Sequence, residues 1–280
     1  MTSPTTDAAQ PSPLTPPASS IRGRFLWYDL MTPDVDAAVA FYTAVTGLGT
    51  AKWSMGENLP AYTMWTNGET PIGGTMTLPA EEVARGTKPH WLAYVGTADC
   101  DATFQQALAL GATACVQPTD IPTVGRYAAL LDPQGALFAL YTPENAPPPA
   151  PFLPTPGTIS WHELKTTELA PAESFYEALF GWERTMAMDM GPAGTYQMFG
   201  HGQITYGGMY GTGPETSPAW LLYIMVPDLD AALDRVRAHG GAVTRGPDPI
   251  PGGRIAHATD PQGGAFALHA AEGEMPPPQG

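Results

Sequence analysis

The chain has 280 residues, 43% of them hydrophobic, and its 12 basic and 27 acidic side chains give a formal net charge of −15. Its Lys and Arg residues are scattered along the chain, so no basic patch offsets the repulsion from a phosphate backbone or an anionic membrane surface. The composition therefore argues against a nucleic-acid partner and against a membrane partner. The two cysteines, Cys100 and Cys115, lack metal-type spacing and predict reduced thiols in the cytoplasm.

The chain begins with a stretch rich in Pro, Ser and Thr that has neither the basic nor the apolar region of a secretory signal. We expect residues 1–21 to be disordered, and likewise the Pro-rich end at 273–280. No apolar run approaches the roughly 20 residues of a membrane-spanning helix.

The first elements are predicted by a run of apolar residues, "FLWYDL", followed by apolar residues at helical spacing over 34–45. Strands near 50–55, 61–66 and 71–77 come next. The order then repeats with the strand "HWLAYV", a helix over 99–110 and strands near 113–117, 126–131 and 136–141. The turns between strands carry Gly, as in "DPQG", which suits hairpins. Each unit therefore reads βαβββ.

The whole arrangement is then written a second time. Trp27 corresponds to Trp161 at an offset of 134 residues, and the same offset relates the Phe-Tyr pairs at 41–42 and 175–176 and the Gly-Gly pairs at 73–74 and 207–208. "DPQG" at 132–135 returns at 260–263. We predict an α+β fold with two tandem domains, 22–146 (the first half) and 157–272 (the second half), joined by a stiff Pro-rich linker at 147–156.

Four βαβββ units in register resemble the vicinal-oxygen-chelate superfamily, which includes glyoxalase I, bleomycin-resistance proteins and extradiol dioxygenases. The resemblance covers nearly all of residues 24–270. It is carried by "DLMTPDVDAAVAFYTAVTGL", "ELKTTELAPAESFYEALFGW" and the two "DPQG" hairpins. It implies that two units in each half curl into an open barrel around a cavity, with helices on the outside.

The resemblance also implies where a metal would be held: by a His or Gln on the first strand of each unit and a Glu on the last strand. The first-strand positions hold Trp27 and Trp161 in the first units and Leu92 and Leu221 in the second units. The last-strand positions hold Ala139 and Ala267. These side chains cannot coordinate a divalent ion, so we expect no metal and no other cofactor.

Strand alternation predicts which side chains share the cavity face with these positions. In the first half the set is Phe25, Trp27, Asp29 and Tyr141, and in the second half it is Ile159, Trp161, Glu163 and His269. His257, on the strand before the last, is a further candidate, as are Tyr62 and Tyr196 in segments rich in Met and aromatics.

Asp29 with Tyr141, and Glu163 with His269, occupy matching positions on strands that we expect to be neighbours. A carboxylate beside an imidazole in an apolar pocket is a plausible acid/base pair, which makes Glu163 and His269 the candidate catalytic residues. The alternative is that each acid only accepts hydrogen bonds that complete the barrel.

Three functions remain open on this sequence. The first is a metal-independent protein that binds a small, aromatic or hydrophobic organic molecule. The second is a metal-free lyase-, isomerase- or hydroxylase-like enzyme that uses Glu163 and His269. The third is a metal-dependent lyase or dioxygenase with relocated ligands. The second half carries more ionisable groups and is the expected active one. We expect a monomer with its domains paired within the chain, or a homodimer.

Overall fold

A computed structural model describes residues 21–53, 62–145, 154–215 and 217–272 of the chain. The predicted disordered segments at 1–20 and 273–280, and the linker up to residue 153, lie outside the described residues. Ile21, the last residue of the predicted N-terminal tail, is buried.

In the first half the elements follow the predicted order. The strands are β1 (Phe25–Thr32), β2 (Gly49–Trp53), β3 (Tyr62–Asn67), β4 (Thr70–Thr77), β5 (His90–Gly96), β6 (Thr113–Ile121), β7 (Gly125–Leu131) and β8 (Leu137–Pro143). The helices are α1 (Val35–Thr46), α2 (Ala80–Ala84) and α3 (Cys100–Ala109). Of these, only the single-turn helix α2 was not predicted.

The second half repeats the first. Its strands are β9 (Ile159–Thr166), β10 (Glu183–Asp189), β11 (Thr195–His201), β12 (Ile204–Gly211), β13 (Ala219–Met225), β14 (Ala242–Ile250), β15 (Gly253–Thr259) and β16 (Ala265–Ala271). Its helices are α4 (Leu169–Phe180) and α5 (Leu229–Ala238), with a short 3-10 turn at Gly191–Ala193. The predicted α+β fold with four βαβββ units is confirmed.

Each half forms one eight-stranded sheet, in the orders β2-β3-β4-β1-β5-β8-β7-β6 and β10-β11-β12-β9-β13-β16-β15-β14. The first strands of the two units, β1 and β5 or β9 and β13, pair antiparallel at the centre. The last strand of each unit pairs with the first strand of the same unit, on the side away from the sheet centre: β4 with β1, β8 with β5, β12 with β9 and β16 with β13. As a consequence β5 separates β1 from β8, and β13 separates β9 from β16.

The helices begin where the sequence supplies a capping carboxylate. Asp34, Asp99 and Asp228 each accept a hydrogen bond from the backbone N–H three residues on, which satisfies a donor that the first helical turn leaves free. Gly47 and Gly181 end α1 and α4 in the left-handed conformation, with φ of 78° and 71°. The caps therefore follow from the local sequence.

Packing crosses between the halves. Helix α1 of the first half packs with α5 of the second in one core, and α3 packs with α4 in another. Phe41 in α1 and Phe175 in α4 are buried in these two cores, and burying one such ring contributes about 1.5–3 kcal/mol. Each core is completed by side chains from both halves, so the halves are paired within the chain.

Two repeated motifs, the Phe-Tyr pairs of α1 and α4 and the "DPQG" turns, contact each other at these shared cores. The Tyr42 hydroxyl of α1 donates to Asp260 of the second "DPQG" turn at 3.1 Å. In the equivalent contact, the Tyr176 hydroxyl of α4 donates to Asp132 of the first "DPQG" turn at 2.9 Å. Each motif therefore finds its partner in the opposite half.

The glutamine of each turn makes a second link. Gln262 accepts from the backbone N–H of Asp34 and donates to its carbonyl, both at 2.8 Å. Gln134 brackets the backbone of Glu168 in the same way, at 2.7 and 2.9 Å. The Glu168 side chain makes no cap hydrogen bond, so Gln134 provides the side-chain contacts to the backbone at the start of α4.

The strand pairing changes register near the beginning of β1 and near the beginning of β9. The β1/β5 pairing shifts between Phe25 and Trp27, and the β13/β9 pairing shifts between Tyr223 and Ile224. Strict alternation therefore fails at Phe25 and Ile159, which we predicted in the cavities and which pack against the shared cores instead. Phe25 stacks on His162 of the second half, with ring centroids 3.6 Å apart.

Within the described residues, no helix combines the length and the apolar character needed to cross a bilayer.

Candidate functional site

A buried carboxylate lies at the centre of the first-half sheet. Asp29 Oδ1 accepts from the Tyr62 hydroxyl at 2.6 Å and from Trp27 Nε1 at 3.1 Å, and Oδ2 accepts from the Tyr94 hydroxyl at 2.8 Å. Trp27 Nε1 also donates to the Tyr62 oxygen at 2.7 Å. Three strands, β1, β3 and β5, thus bring a Trp, an acid and two Tyr into one network.

The second half builds the same network with Glu163 as the acid. Trp161 Nε1 donates to the Tyr196 oxygen at 2.7 Å, and the hydroxyls of Tyr196 and Tyr223 contact Glu163 Oε2 at 3.1 and 3.0 Å. Here the network is longer, because the Tyr223 hydroxyl also lies 2.9 Å from Nε2 of His257. The first half has Ala129 at the equivalent position.

The repeated Gly-Gly pair makes room for this network. A Cβ on Gly74 would lie 2.1 Å from the ring of Tyr62, and one on Gly208 would lie 2.1 Å from the ring of Tyr196. Any side chain at either position would push the tyrosine away from its carboxylate. In both halves the absence of a side chain at this glycine therefore lets the tyrosine ring of the neighbouring strand reach its carboxylate.

Burial dominates the electrostatics of both acids. It raises the pKa of Asp29 and of Glu163, and the hydrogen bonds from the two tyrosines oppose that rise in each case. Burial also lowers the pKa of His257 and of His269, so both imidazoles favour the neutral form. The pKa of Tyr210 rises to about 12, chiefly through burial and then through the nearby Glu163 carboxylate.

The second network opens onto a cavity of about 1010 Å³, near the upper end of the range for small-molecule pockets. The polar and ionisable side chains of its lining, which we call its polar side, include Glu163, Tyr210, Tyr223, Arg245, His257 and His269. The apolar wall includes Met188, Met190, Pro192, Met198, Ile250 and Ile255. The 3-10 turn at Gly191–Ala193, between β10 and β11, forms part of the rim.

Aromatic rings pack together at equivalent positions in the first half. Tyr127 and Tyr141 pack with Tyr94, with ring centroids 6.2 and 6.4 Å from it. Their counterparts in the second half are Ile255 and His269, which are smaller. At these two positions the first half therefore has packed tyrosine rings, whereas the second half has smaller side chains that line the cavity.

The predicted site residues separate into two groups. Trp161, Glu163, Tyr196, His257 and His269 all line the second-half cavity. The first-half residues Trp27, Asp29 and Tyr62 form the hydrogen-bonded network described above. Tyr141 is not part of that network, since its hydroxyl donates to the Val124 carbonyl at 3.1 Å.

Glu163 and His269 face the same cavity but are not hydrogen-bonded to each other. We expected their strands to be neighbours, whereas β13 lies between them. His269 Nδ1 instead lies 3.0 Å from the Ser160 hydroxyl. The histidine connected to Glu163 is His257, through Tyr223. Asp29 and Tyr141 are kept apart in the same manner by β5.

Two members of the networks, Tyr94 and Tyr223, were missed in the sequence analysis. Each lies two residues after a predicted metal-ligand position, Leu92 or Leu221, and so on the same strand face. The alternation that identified Asp29 and Glu163 would have found them had it been applied to β5 and β13 as well.

A divalent metal of the kind used by this fold does not suit the residues present. Trp27 and Trp161 direct N–H donors at tyrosine oxygens, and the only carboxylate in each network is engaged by tyrosine hydroxyls. Across the described ranges, no three His, Cys, Asp or Glu side chains come close enough to ligate one ion.

Comparison with known families agrees with this architecture. The model of the Glyoxalase/Bleomycin resistance protein/Dioxygenase superfamily matches residues 24–140 and again residues 158–268. The chain belongs to this superfamily. The two matched ranges correspond to the two eight-stranded sheets, so each half matches the superfamily model separately.

Relatives within the superfamily include proteins of similar length. The anthracycline biosynthesis protein DauV of Streptomyces sp. (strain C5) is 29% identical over 255 residues, covering 86% of this chain and 91% of that protein. DnrV of Streptomyces peucetius, which bears the same description, matches over the same shares. A putative glyoxylase, CFP32, of Mycobacterium tuberculosis is 39% identical over 123 residues, 43% of this chain and 44% of that protein.

Solved structures share the fold at low sequence identity. The Mn(II)-bound glyoxalase of Novosphingobium aromaticivorans superposes with a TM-score of 0.60 at 16% identity, covering 89% of this chain and 82% of that one. The 2,3-dioxygenase LapB of Pseudomonas sp. KL28 gives 0.61 at 13%, covering 93% and 96%. At such identities the likeness concerns the fold alone.

Proposed function

We propose that the second half binds a flat, hydrophobic, aromatic small molecule in its cavity without a metal ion, and that the chain acts as a monomer with its halves paired. The observation that carries the proposal is the cavity itself: about 1010 Å³, with Met and aromatic side chains around one polar side. Thioethers and aromatic rings form adaptable apolar surfaces that suit planar ligands.

The relatives support a planar ligand of several fused rings. DauV and DnrV are described as anthracycline biosynthesis proteins, and both align with this chain over most of their length. A polycyclic aromatic frame would place apolar area against Met188, Met190 and Met198 and leave its edge at Glu163. The paired cores support the monomer, because the apolar faces of α1 and α4 are already covered within the chain.

Fluorescence titration with 1-methoxypyrene, a flat four-ring probe, tests the proposal. Ile255→Tyr and His269→Tyr each copy the residue of the first half, Tyr127 or Tyr141, and should fill the cavity. We expect the double variant to lose most of the probe affinity. The reciprocal first-half variant Tyr127→Ile is the matched control and should bind as the wild type does. Saturable binding that survives the double variant, or ligand density only in the first half, would reject the proposal.

A second candidate function is acid/base catalysis in the same cavity. The observation favouring it is the chain Glu163–Tyr223–His257, with contacts of 3.0 and 2.9 Å, which connects a carboxyl to an imidazole. It replaces the pairing of Glu163 with His269 that we expected. Proton exchange at the acidic C–H of 2-tetralone in D₂O, followed by NMR, tests it: Glu163→Gln should abolish accelerated exchange while 1-methoxypyrene still binds. Exchange no faster than in buffer rules this candidate out.

A further inference from the structure

The hydrogen-bond network fixes which atoms of the polar side are free to meet a ligand. Tyr223 has one hydroxyl proton and two partners, Glu163 Oε2 and His257 Nε2. In the first half the equivalent Tyr94 donates to its acid with no imidazole present. The shared arrangement is donation to the acid, so His257 Nε2–H donates to the Tyr223 oxygen and Nδ1 carries a lone pair.

The tautomer of His269 follows in the same way from counting hydroxyl protons. The Ser160 hydroxyl donates its one proton to the Tyr223 carbonyl at 3.2 Å, so it accepts from His269 Nδ1–H. Nε2 of His269 is then a second lone-pair nitrogen. Neither His257 Nδ1 nor His269 Nε2 has a hydrogen-bond partner among the described residues.

Glu163 contributes the third free acceptor. Both tyrosine hydroxyls contact Oε2, and Oε1 makes no hydrogen bond to any described residue. Glu163 lines the same cavity as both histidines. We call Glu163, His257 and His269 together the acceptor wall.

The other side-chain hydroxyls of the cavity leave few protons for a ligand. Thr212 donates to the Thr166 carbonyl at 3.1 Å, and Thr205 contacts the Thr185 hydroxyl at 3.4 Å. Trp161 Nε1 is used by Tyr196. The remaining side-chain donors are the Tyr210 hydroxyl and the Arg245 guanidinium, whose Nε pairs with Asp248 at 2.8 Å.

We propose that the acceptor wall selects ligands by their O–H donors, so that the cavity prefers a phenolic aromatic over the corresponding ether or quinone. This inference rests on the proposed function, since it concerns the same cavity. A ligand hydroxyl that reaches the wall donates its proton to one of these three acceptors. An ether or carbonyl oxygen placed against one of these three acceptors has no proton to donate, so it leaves the buried Glu163 carboxyl or a partly buried imidazole without a partner. Glu163, His257 and His269 are thus specificity-determining residues.

The test compares 1-hydroxypyrene with 1-methoxypyrene at pH 7.0, two flat probes that differ by one methyl group. Because the ether leaves the Glu163 acceptor unpaired, we expect the wild type to bind the phenol about tenfold more tightly or better. In Glu163→Gln the amide oxygen keeps the tyrosine contacts and an NH₂ donor faces the ligand. We expect that variant to reduce the preference below about threefold. His257→Ala, which copies Ala129, should reduce it in part.

Asp29→Asn, in the first half, is the matched control and should keep the full preference. Retained affinity for 1-methoxypyrene and an unchanged melting temperature show that a variant is folded. If neither probe binds the wild type, the proposed function fails. If both bind equally, or if Glu163→Gln keeps the full preference, the acceptor wall is overturned while the proposed function stands.

Discussion

The hydroxyl of Tyr28 lies 2.8 Å from Nε2 of His162, and these two residues are equivalent positions in the two halves of the chain. His162 Nδ1 is 2.8 Å from the Tyr206 carbonyl, so the neutral imidazole donates at Nδ1 and accepts from Tyr28 at Nε2. Burial lowers the pKa of His162 to about 4. The central contact between the halves is therefore made by a histidine that must stay uncharged.

This histidine predicts acid sensitivity. Its folded-state pKa of about 4 lies below the ordinary value of 6.5, so its contribution to stability is complete above pH 6.5 and is lost as the pH falls towards 4. We expect the stability advantage of the wild type over His162→Gln to shrink by up to about 3 kcal/mol between pH 7 and pH 4. Comparison with the variant cancels the opposite contribution of Asp29 and Glu163, whose pKa values are raised. Urea unfolding at several pH values measures the gap, and a constant gap would contradict the assignment.

Removing the hydroxyl of Tyr42 or Tyr176, which link the two halves, should lower the free energy of unfolding. Tyr42→Phe leaves Asp260 without the hydroxyl and removes the acceptor of Trp91 Nε1, which lies 3.1 Å away. We expect a loss of about 1–3 kcal/mol in the free energy of unfolding, and a similar loss for Tyr176→Phe. Tyr127→Phe is the control, because the Tyr127 hydroxyl has no partner among the described residues. Equal stability of Tyr42→Phe and the control would show that the cross-half contact contributes little.

The Gly-Gly motifs offer a paired experiment. Gly208→Ala should displace Tyr196 from Glu163 and Trp161 and weaken binding of 1-methoxypyrene, whereas Gly74→Ala should displace Tyr62 and leave binding intact. Both should lower the melting temperature, because each added methyl group overlaps a buried ring. Loss of probe binding in both variants would mean that binding reports global stability rather than the second cavity.

Chelation should leave the cavity unaffected. Because no three His, Cys, Asp or Glu side chains of the described residues converge on one point, dialysis against EDTA should change the affinity for 1-methoxypyrene less than twofold. Elemental analysis of protein purified without chelator provides the second readout. A stoichiometric transition metal whose removal abolishes binding would show that ligands outside these networks hold an ion.

Sequence reasoning reached much of the site, but not its connections. Alternation along β9 placed Trp161 and Glu163 on the cavity face, and the Met- and aromatic-rich composition of its segment made Tyr196 a candidate. It failed at Phe25 and Ile159, because a shift of strand register changes the face of every residue beyond it. It also paired Glu163 with His269, because periodicity along one strand carries no information about which strand lies beside it.

By itself, the sequence determined the duplication, the order of the elements, the helix caps and the absence of metal-ligand side chains at Trp27 and Trp161. These features are local or are written as repeats at a constant offset. Only the tertiary structure decided that Tyr42 meets Asp260, that Glu163 reaches His257 through Tyr223, and that the second half encloses a cavity. Those relationships depend on sheet order and on packing between distant segments, because hydrogen bonds and ring contacts form between neighbours in space.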